Sequence, residues 1–202
     1  MRAVKPVWIT EAEYLATEAS SPEKREYVNG EILAMAGVSF EHAAVHARLI
    51  GGLNRRLHGR GCEAVGSDLR VLTAETGLYS YPDIVVVCGR PELSTTTPPS
   101  LLNPRVLFEI LSESTENHDR VVKVAHYRRR ATVDAIVLVD SRRRLVEIQT
   151  RNANGTWTLA ELTTGELRID VLDVGIPLDE IYDGVVFPAL PAPRTRRATR
   201  KR

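Results

Sequence analysis

The sequence predicts an α/β (α+β) domain with a mixed central β-sheet flanked by helices and an N-terminal β-hairpin. Three observations predict it. Helical and strand patterns follow one another in the order helix, hairpin, helix, several strands, helix, strands. Asn29-Gly30 stands between two β-compatible runs, a strong signal for a two-residue hairpin. The stretches YPDIVVV and VLFEILS are short, apolar and bounded by loop residues, as buried strands are.

The elements are justified in chain order. TEAE (Thr10–Glu13) has capping-box spacing and starts a short helix. SPEK (Ser21–Lys24) is a further helix start or a turn. In the hairpin, Val28 faces Glu31 and Tyr27 faces Ile32, and alternation puts Glu26 and Glu31 on one face. Ser39 caps a helix reaching about His58, whose stripe is Val45, Leu49, Leu53 and Leu57. EAVGSDLRVLTA, LYSYPDIVVVCG and RVLFEILS read as three strands, the last two separated by a Thr/Pro-rich loop at Arg90–Pro104. Thr115 caps a second long helix to about Arg130. AIVLVD, LVEIQTR and TWTLAEL are further strands, with Arg142–Arg144 and NANG as turns, and ELRID is another short one. Residues 1–187 read as a single domain. PALPAP (Pro188–Pro193) ends it, and residues 188–202 are a Pro/Arg-rich basic tail expected to be disordered.

The 202 residues are 43% hydrophobic but only 5% aromatic, so aliphatic side chains must fill the core. No stretch approaches the ~20 apolar residues of a membrane span, and the N-terminus has no apolar signal core, so a cytoplasmic protein with no membrane partner is expected. Cys62 and Cys88 lack metal-type spacing, and two reduced, buried thiols are expected rather than a disulfide. The net charge is +1, but six of the 27 basic residues lie in the last twelve positions. Without them 21 basic residues face 26 acidic ones, a body of net −5, which excludes a generally basic nucleic-acid surface.

Two carboxylates carry the chemistry. Asp83 follows Pro82 at the mouth of an apolar strand, a place where a turn aspartate is also common. Glu109 interrupts an apolar run and shares a strand face with Leu107 and Leu111. A buried ionised carboxylate costs several kcal/mol unless it is paired or holds a cation. Acids on neighbouring strands make a hard oxygen site suited to Mg²⁺ or Mn²⁺. Downstream, Asp119, Lys123 and Tyr127 recur every four residues along one helix face, which by spacing alone fits a solvated Asp–Lys pair equally well. That helix follows directly from the Glu109 strand, which lets Lys123 reach back toward the acids. His118 reads as a surface residue. Ser112, Ser114 and Thr115 have no paired base and read as strand end and helix cap.

An acid after proline, a later strand glutamate and a nearby lysine resemble the PD-(D/E)XK nuclease superfamily. REYVNGEI, EHAAVH, YPDIVVV, FEILSEST and DRVVKVAHY, in that order from Arg25 to Tyr127, resemble one branch of it, the Uma-two restriction-endonuclease family. The resemblance implies a restriction-endonuclease-like core and a Mg²⁺- or Mn²⁺-dependent endonuclease acting on nucleic acid, DNA first. It implies Asp83 and Glu109 as metal ligands and Asp83, Glu109 and Lys123 as the catalytic residues, with Glu26 and His42 as further site candidates. The superfamily lysine two residues beyond the glutamate is absent, since Leu111 stands there, and Lys123 is its helix-borne counterpart. Arg128, Arg129, Arg130 and the tail are candidate contacts to the nucleic-acid backbone. A homodimer is a further expectation. Leu111 and the acidic body also fit a second reading, an inactive nuclease-fold module that binds nucleic acid or a protein partner. A third is a structural α/β domain in which Glu109 pairs with an arginine.

Overall fold

Thr10 opens the first helix as its spacing requires. Its hydroxyl accepts from the Glu13 N–H, while the Glu13 carboxylate accepts from the Thr10 N–H at 2.7 Å. The computed structural model describes residues 8–35 and 37–187. Helix α1 (Glu11–Glu18) leads to the hairpin β1 (Arg25–Val28) and β2 (Glu31–Ala34), in the expected register of Val28 with Glu31 and Tyr27 with Ile32. Asn29 and Gly30 both take positive φ, 49° and 88°, as a type I′ turn demands. Helix α2 (Phe40–Leu57) starts at Ser39, whose hydroxyl accepts from the His42 N–H, and it buries Val45, Leu49, Leu53 and Leu57.

Two of the three strands expected next are broken in the middle. EAVGSDLRVLTA divides into β3 (Cys62–Gly66) and β4 (Val71–Thr73), and LYSYPDIVVVCG into β5 (Leu78–Ser80) and β6 (Ile84–Cys88). The halves belong to different sheets: β2-β1-β5-β4 form one, and β3 and β6 pair with each other at one side of a separate six-stranded sheet. A continuous strand cannot serve both, so the chain turns at Ser67–Asp68 and crosses at Tyr81–Asp83. Pro82 sits at that crossing, where a missing N–H costs no ladder bond.

Strand β7 (Val106–Leu111) pairs antiparallel with β6 and parallel with β8 (Ala135–Asp140). Parallel neighbours need a crossover. The crossover here is a π-helical turn, His118–Lys123, continued by α3 (Val124–Tyr127). This is shorter than the helix expected to run to Arg130. Nor does the Thr115 side chain cap it: that hydroxyl pairs with Ser112, and the Thr115 carbonyl receives the Asp119 N–H. Antiparallel β9 (Val146–Arg151) and β10 (Trp157–Leu162) complete the large sheet, whose strand order is β10-β9-β8-β7-β6-β3. A hairpin of β11 (Glu166–Ile169) and β12 (Val174–Pro177), with a short α4 (Leu178–Ile181), closes the described chain. Neither β12 nor α4 stands out in the sequence.

The large sheet is covered on both faces. Ile84, Val86, Phe108, Ile110 and Val137 meet α2, the β11–β12 hairpin and α4. Val85, Leu107, Leu111 and Leu138 meet Val28, Val71, Val124 and Tyr127 from the small sheet and the crossover helix. Glu109 therefore points into this second, apolar layer. At the sheet edge the β3–β6 register sets Cys62 opposite Cys88, and their sulfurs are bonded. The expectation of reduced thiols is thus corrected, because pairing across two strands needs no short spacing in sequence. The basic tail lies outside the described residues. Among the described residues no helix is long and apolar enough to cross a membrane.

Candidate active site

The crossing between the sheets explains the aspartate at a strand mouth. Carried one residue past the Ile84–Phe108 pair, the β6–β7 register sets Asp83 opposite Glu109. Strand β7 outruns β6 there, and the Ile110 N–H donates to Asp83 Oδ2 at 2.6 Å instead of to a ladder carbonyl. Two histidines of α2, one turn apart, hold the same residue. His42 Nε2 lies 3.0 Å from Asp83 Oδ1, and His46 Nε2 lies 2.9 Å from the Asp83 carbonyl.

Glu109 is fully buried but not paired with an arginine. The Tyr127 phenol donates to its Oε1 at 2.7 Å and the Lys123 ammonium reaches its Oε2 at 3.3 Å. Because the helix must return over the sheet to start β8, the face carrying Asp119, Lys123 and Tyr127 lies on top of Glu109. Of the two placements that the spacing allows, the Asp119–Lys123 pair takes the buried one, with Nζ 3.0 Å from Asp119 Oδ1. From the small sheet Glu26 brings a third carboxylate to Nζ, at 2.9 Å. Glu26 also accepts the Tyr81 N–H at 3.0 Å and faces His118 Nε2 at 3.1 Å.

Burial pushes the Glu109 carboxyl well above the usual carboxylate range; Lys123 opposes that, and Asp119, Asp83 and Glu26 add to it. Burial also works upward on Glu26, but hydrogen bonds from His118, Lys123 and the Tyr81 N–H outweigh it and hold Glu26 below that range. Burial alone would lower Lys123, yet Glu109, Tyr127, Glu26 and Asp119 hold its pKa well above normal. The ammonium is the fixed positive centre of an acidic cluster.

These groups line a cleft of about 200 Å³. Its polar floor contains Glu26, Asp83, Glu109, Asp119 and Lys123, and one wall is apolar, made by Leu33, Ala34, Met35 and Val38. Asp83, Glu109, Lys123, Glu26 and His42 all meet there. Arg128, Arg129 and Arg130 do not, because they follow Tyr127, the last residue of the face that reaches the cluster. Arg128 donates to Gln149, and Arg130 to Glu75 and the Leu102 carbonyl. His118 and Asp119 line the cleft, although the sequence reads the first as a surface residue and leaves the second open between a solvated pair and the site. The four-residue rhythm through Asp119 was the available signal for its face. His118, one position earlier, had none.

Among the described residues no three His, Cys, Asp or Glu side chains form a metal-binding group. The donors present still fit Mg²⁺, which takes one or two carboxylates and fills its other positions with water and substrate phosphate. Asp83 and Glu109 are the two that would hold it: hard oxygens, opposite each other, in a cluster with more carboxylates than cations.

Residues 11–179 match the Uma2 (Uma-two) family model, described as "Putative restriction endonuclease". Two uncharacterized proteins of Synechocystis sp., slr1290 and sll1609, are 31% and 32% identical over 177 and 162 residues. The matches cover 87% and 80% of this chain and 92% of each relative. A crystal structure from Anabaena variabilis, described as a "putative nuclease" of DUF820, superposes with a TM-score of 0.70 at 16% identity. That match covers 88% of this chain and 99% of the other, and it shows the restriction-endonuclease-like fold.

Proposed function

The chain belongs to the Uma2 family of "putative restriction endonucleases", and from that premise we propose that it is a metal-dependent endonuclease that hydrolyses phosphodiester bonds, with DNA as the substrate. The observation that carries the proposal is that Asp83 and Glu109 line one cleft, with the Lys123 ammonium on Glu109. Mg²⁺ or Mn²⁺, when bound, supplies charge neutralisation at the phosphate and lowers the pKa of water. The protein's own residues do the rest. Asp83 and Glu109 present the acidic pair. His42 and the Ile110 N–H fix Asp83, and Tyr127 fixes Glu109. Lys123 offers fixed positive charge to the oxygens that gain negative charge as the bond breaks, and Glu26 and Asp119 hold it in place. Of the three arginines, Arg128 and Arg129 are both exposed, and Arg129, which makes no side-chain hydrogen bond to the described residues while Arg128 holds Gln149, is the one suited to a phosphate of the substrate backbone.

One observation favours the second reading, an inactive module. Glu26, Glu109 and Asp119 surround the Lys123 ammonium at 2.9, 3.3 and 3.0 Å, as they would in a purely structural ion cluster. A single experiment separates the readings. The protein is incubated with plasmid, single-stranded DNA and RNA, with Mg²⁺ or Mn²⁺ and with chelator, beside Asp83→Asn. Cleavage that needs metal and falls by at least about 10²-fold in the variant is expected, because losing one charge-stabilising group costs on that order. Cleavage that survives the substitution, or none with any substrate, rejects the nuclease reading.

A further inference from the structure

Phosphodiester hydrolysis needs a proton for the departing sugar oxygen, since an alkoxide is a poor leaving group. Most proton carriers along the cleft are already committed. Lys123 is buried among three carboxylates, and Tyr127 is buried with its phenol on Glu109. His42 has Nε2 on Asp83, and its Nδ1 is buried without a partner among the described residues. The Ser112, Ser114 and Thr115 hydroxyls bond to one another.

His118 differs from all of these. It lines the cleft and its side chain is 22% exposed. Its Nε2 is turned to the Glu26 carboxylate, an acceptor, so Nε2 carries a proton and donates. Glu26 is itself fixed by the Tyr81 N–H and by Lys123, which makes it a rigid support for the ring. Nδ1 makes no hydrogen bond to the described residues and is not buried. The groups that share the cleft with the ring are Glu26 from β1, Asp119 and Lys123 from its own helix, and Asp83, Glu109 and His42 across the cleft.

We propose that His118, oriented by Glu26, is the general acid that protonates the leaving oxygen. The inference rests on the phosphodiesterase reading above. In the step, a water oxygen bonds to phosphorus and the bond from phosphorus to the departing sugar oxygen breaks. The electron pair stays on that oxygen, which takes the Nδ1 proton of the His118 imidazolium and leaves a neutral ring whose remaining proton stays on Nε2 toward Glu26. The proton lost by the attacking water passes to solvent, and solvent recharges the imidazole.

The test compares two leaving groups in the full chain with metal present. One substrate is DNA; the other is the p-nitrophenyl ester of thymidine 5′-phosphate, whose phenolate departs without a proton. The variants are His118→Ala and His118→Gln; the Gln amide keeps a donor to Glu26 but has no proton to transfer. Both are expected to lose about 10²–10⁴-fold in DNA cleavage, the usual contribution of a general acid, and to keep p-nitrophenyl ester hydrolysis within a few-fold. Added imidazole is expected to restore part of the DNA activity of His118→Ala. Equal losses on both substrates, or no loss on either, overturn the assignment. If the unaltered protein cleaves neither substrate, the nuclease reading itself fails and the inference falls with it.

Discussion

Asp140 ends β8 with its side chain buried, accepting from the Arg142 N–H and guanidinium and from Arg143. Burial pushes its carboxyl upward, but those bonds outweigh burial and hold its pKa below the usual range. A depressed folded pKa contributes stability above the unfolded value of about 4, and that stability is lost as pH falls through the lower folded value. Asp140→Asn is therefore expected to cost about 1–3 kcal/mol at pH 7, the scale of hydrogen bonds to charged groups. The difference should begin to shrink below about pH 4, where the unfolded carboxyl takes up its proton, and go on shrinking until the native carboxyl protonates as well. Denaturant midpoints at pH 7 and pH 3 measure both. At this same scale Asp83 and Glu109 were legible, because a carboxylate at the mouth of an apolar strand or inside one needs a reason. His118 was not, because a histidine beside a helical aspartate reads the same whether it faces water or another strand's glutamate.

At the scale of elements, α2 links stability to the site. Ser39 caps the helix through the His42 N–H, and His42 in turn holds Asp83. Ser39→Ala should cost about 1 kcal/mol, read as a shift in the thermal midpoint. It should also lower turnover several-fold, because the first turn that carries His42 is loosened, and Ser39→Asp should restore both. Helix α2, the hairpin and the later strands were legible from periodicity and turn chemistry, which act over a few residues. The breaks at Ser67–Asp68 and Tyr81–Asp83 were not, because each depends on which sheet the two halves join. The π-turn at His118–Lys123 was equally hidden. It belongs to a crossover whose length is set by the β7–β8 spacing rather than by helix propensity.

At the scale of the molecule, the acidic cluster joins the two sheets and the crossover helix through Glu26, Glu109 and Lys123. Removing one partner of a buried ion pair usually costs about 3–5 kcal/mol by stranding a charge. Glu109→Gln strands none, since Lys123 keeps Glu26 and Asp119 and the ionised Glu109 is itself the costly form. In chelator at pH 7 this variant is expected to match the parent protein within about 1 kcal/mol or to exceed it. A loss of several kcal/mol in urea unfolding would instead identify a structural ion cluster, the inactive reading. The same substitution should abolish metal-dependent cleavage.

Local chemistry in the sequence determined the elements and the residues worth asking about. Apolar periodicity, a capping box, an Asn-Gly turn, a carboxylate at a strand mouth and another inside an apolar strand lie within reach of a few bonds. The tertiary structure decided which of those residues meet. Lys123 sits 3.3 Å from Glu109 although fourteen positions separate them, Glu26 arrives from another sheet, and Cys62 finds Cys88 across a strand pair. Such contacts come from sheet order and crossover direction. These are set by burial of both faces of the large sheet, a property of the whole chain that no single stretch carries.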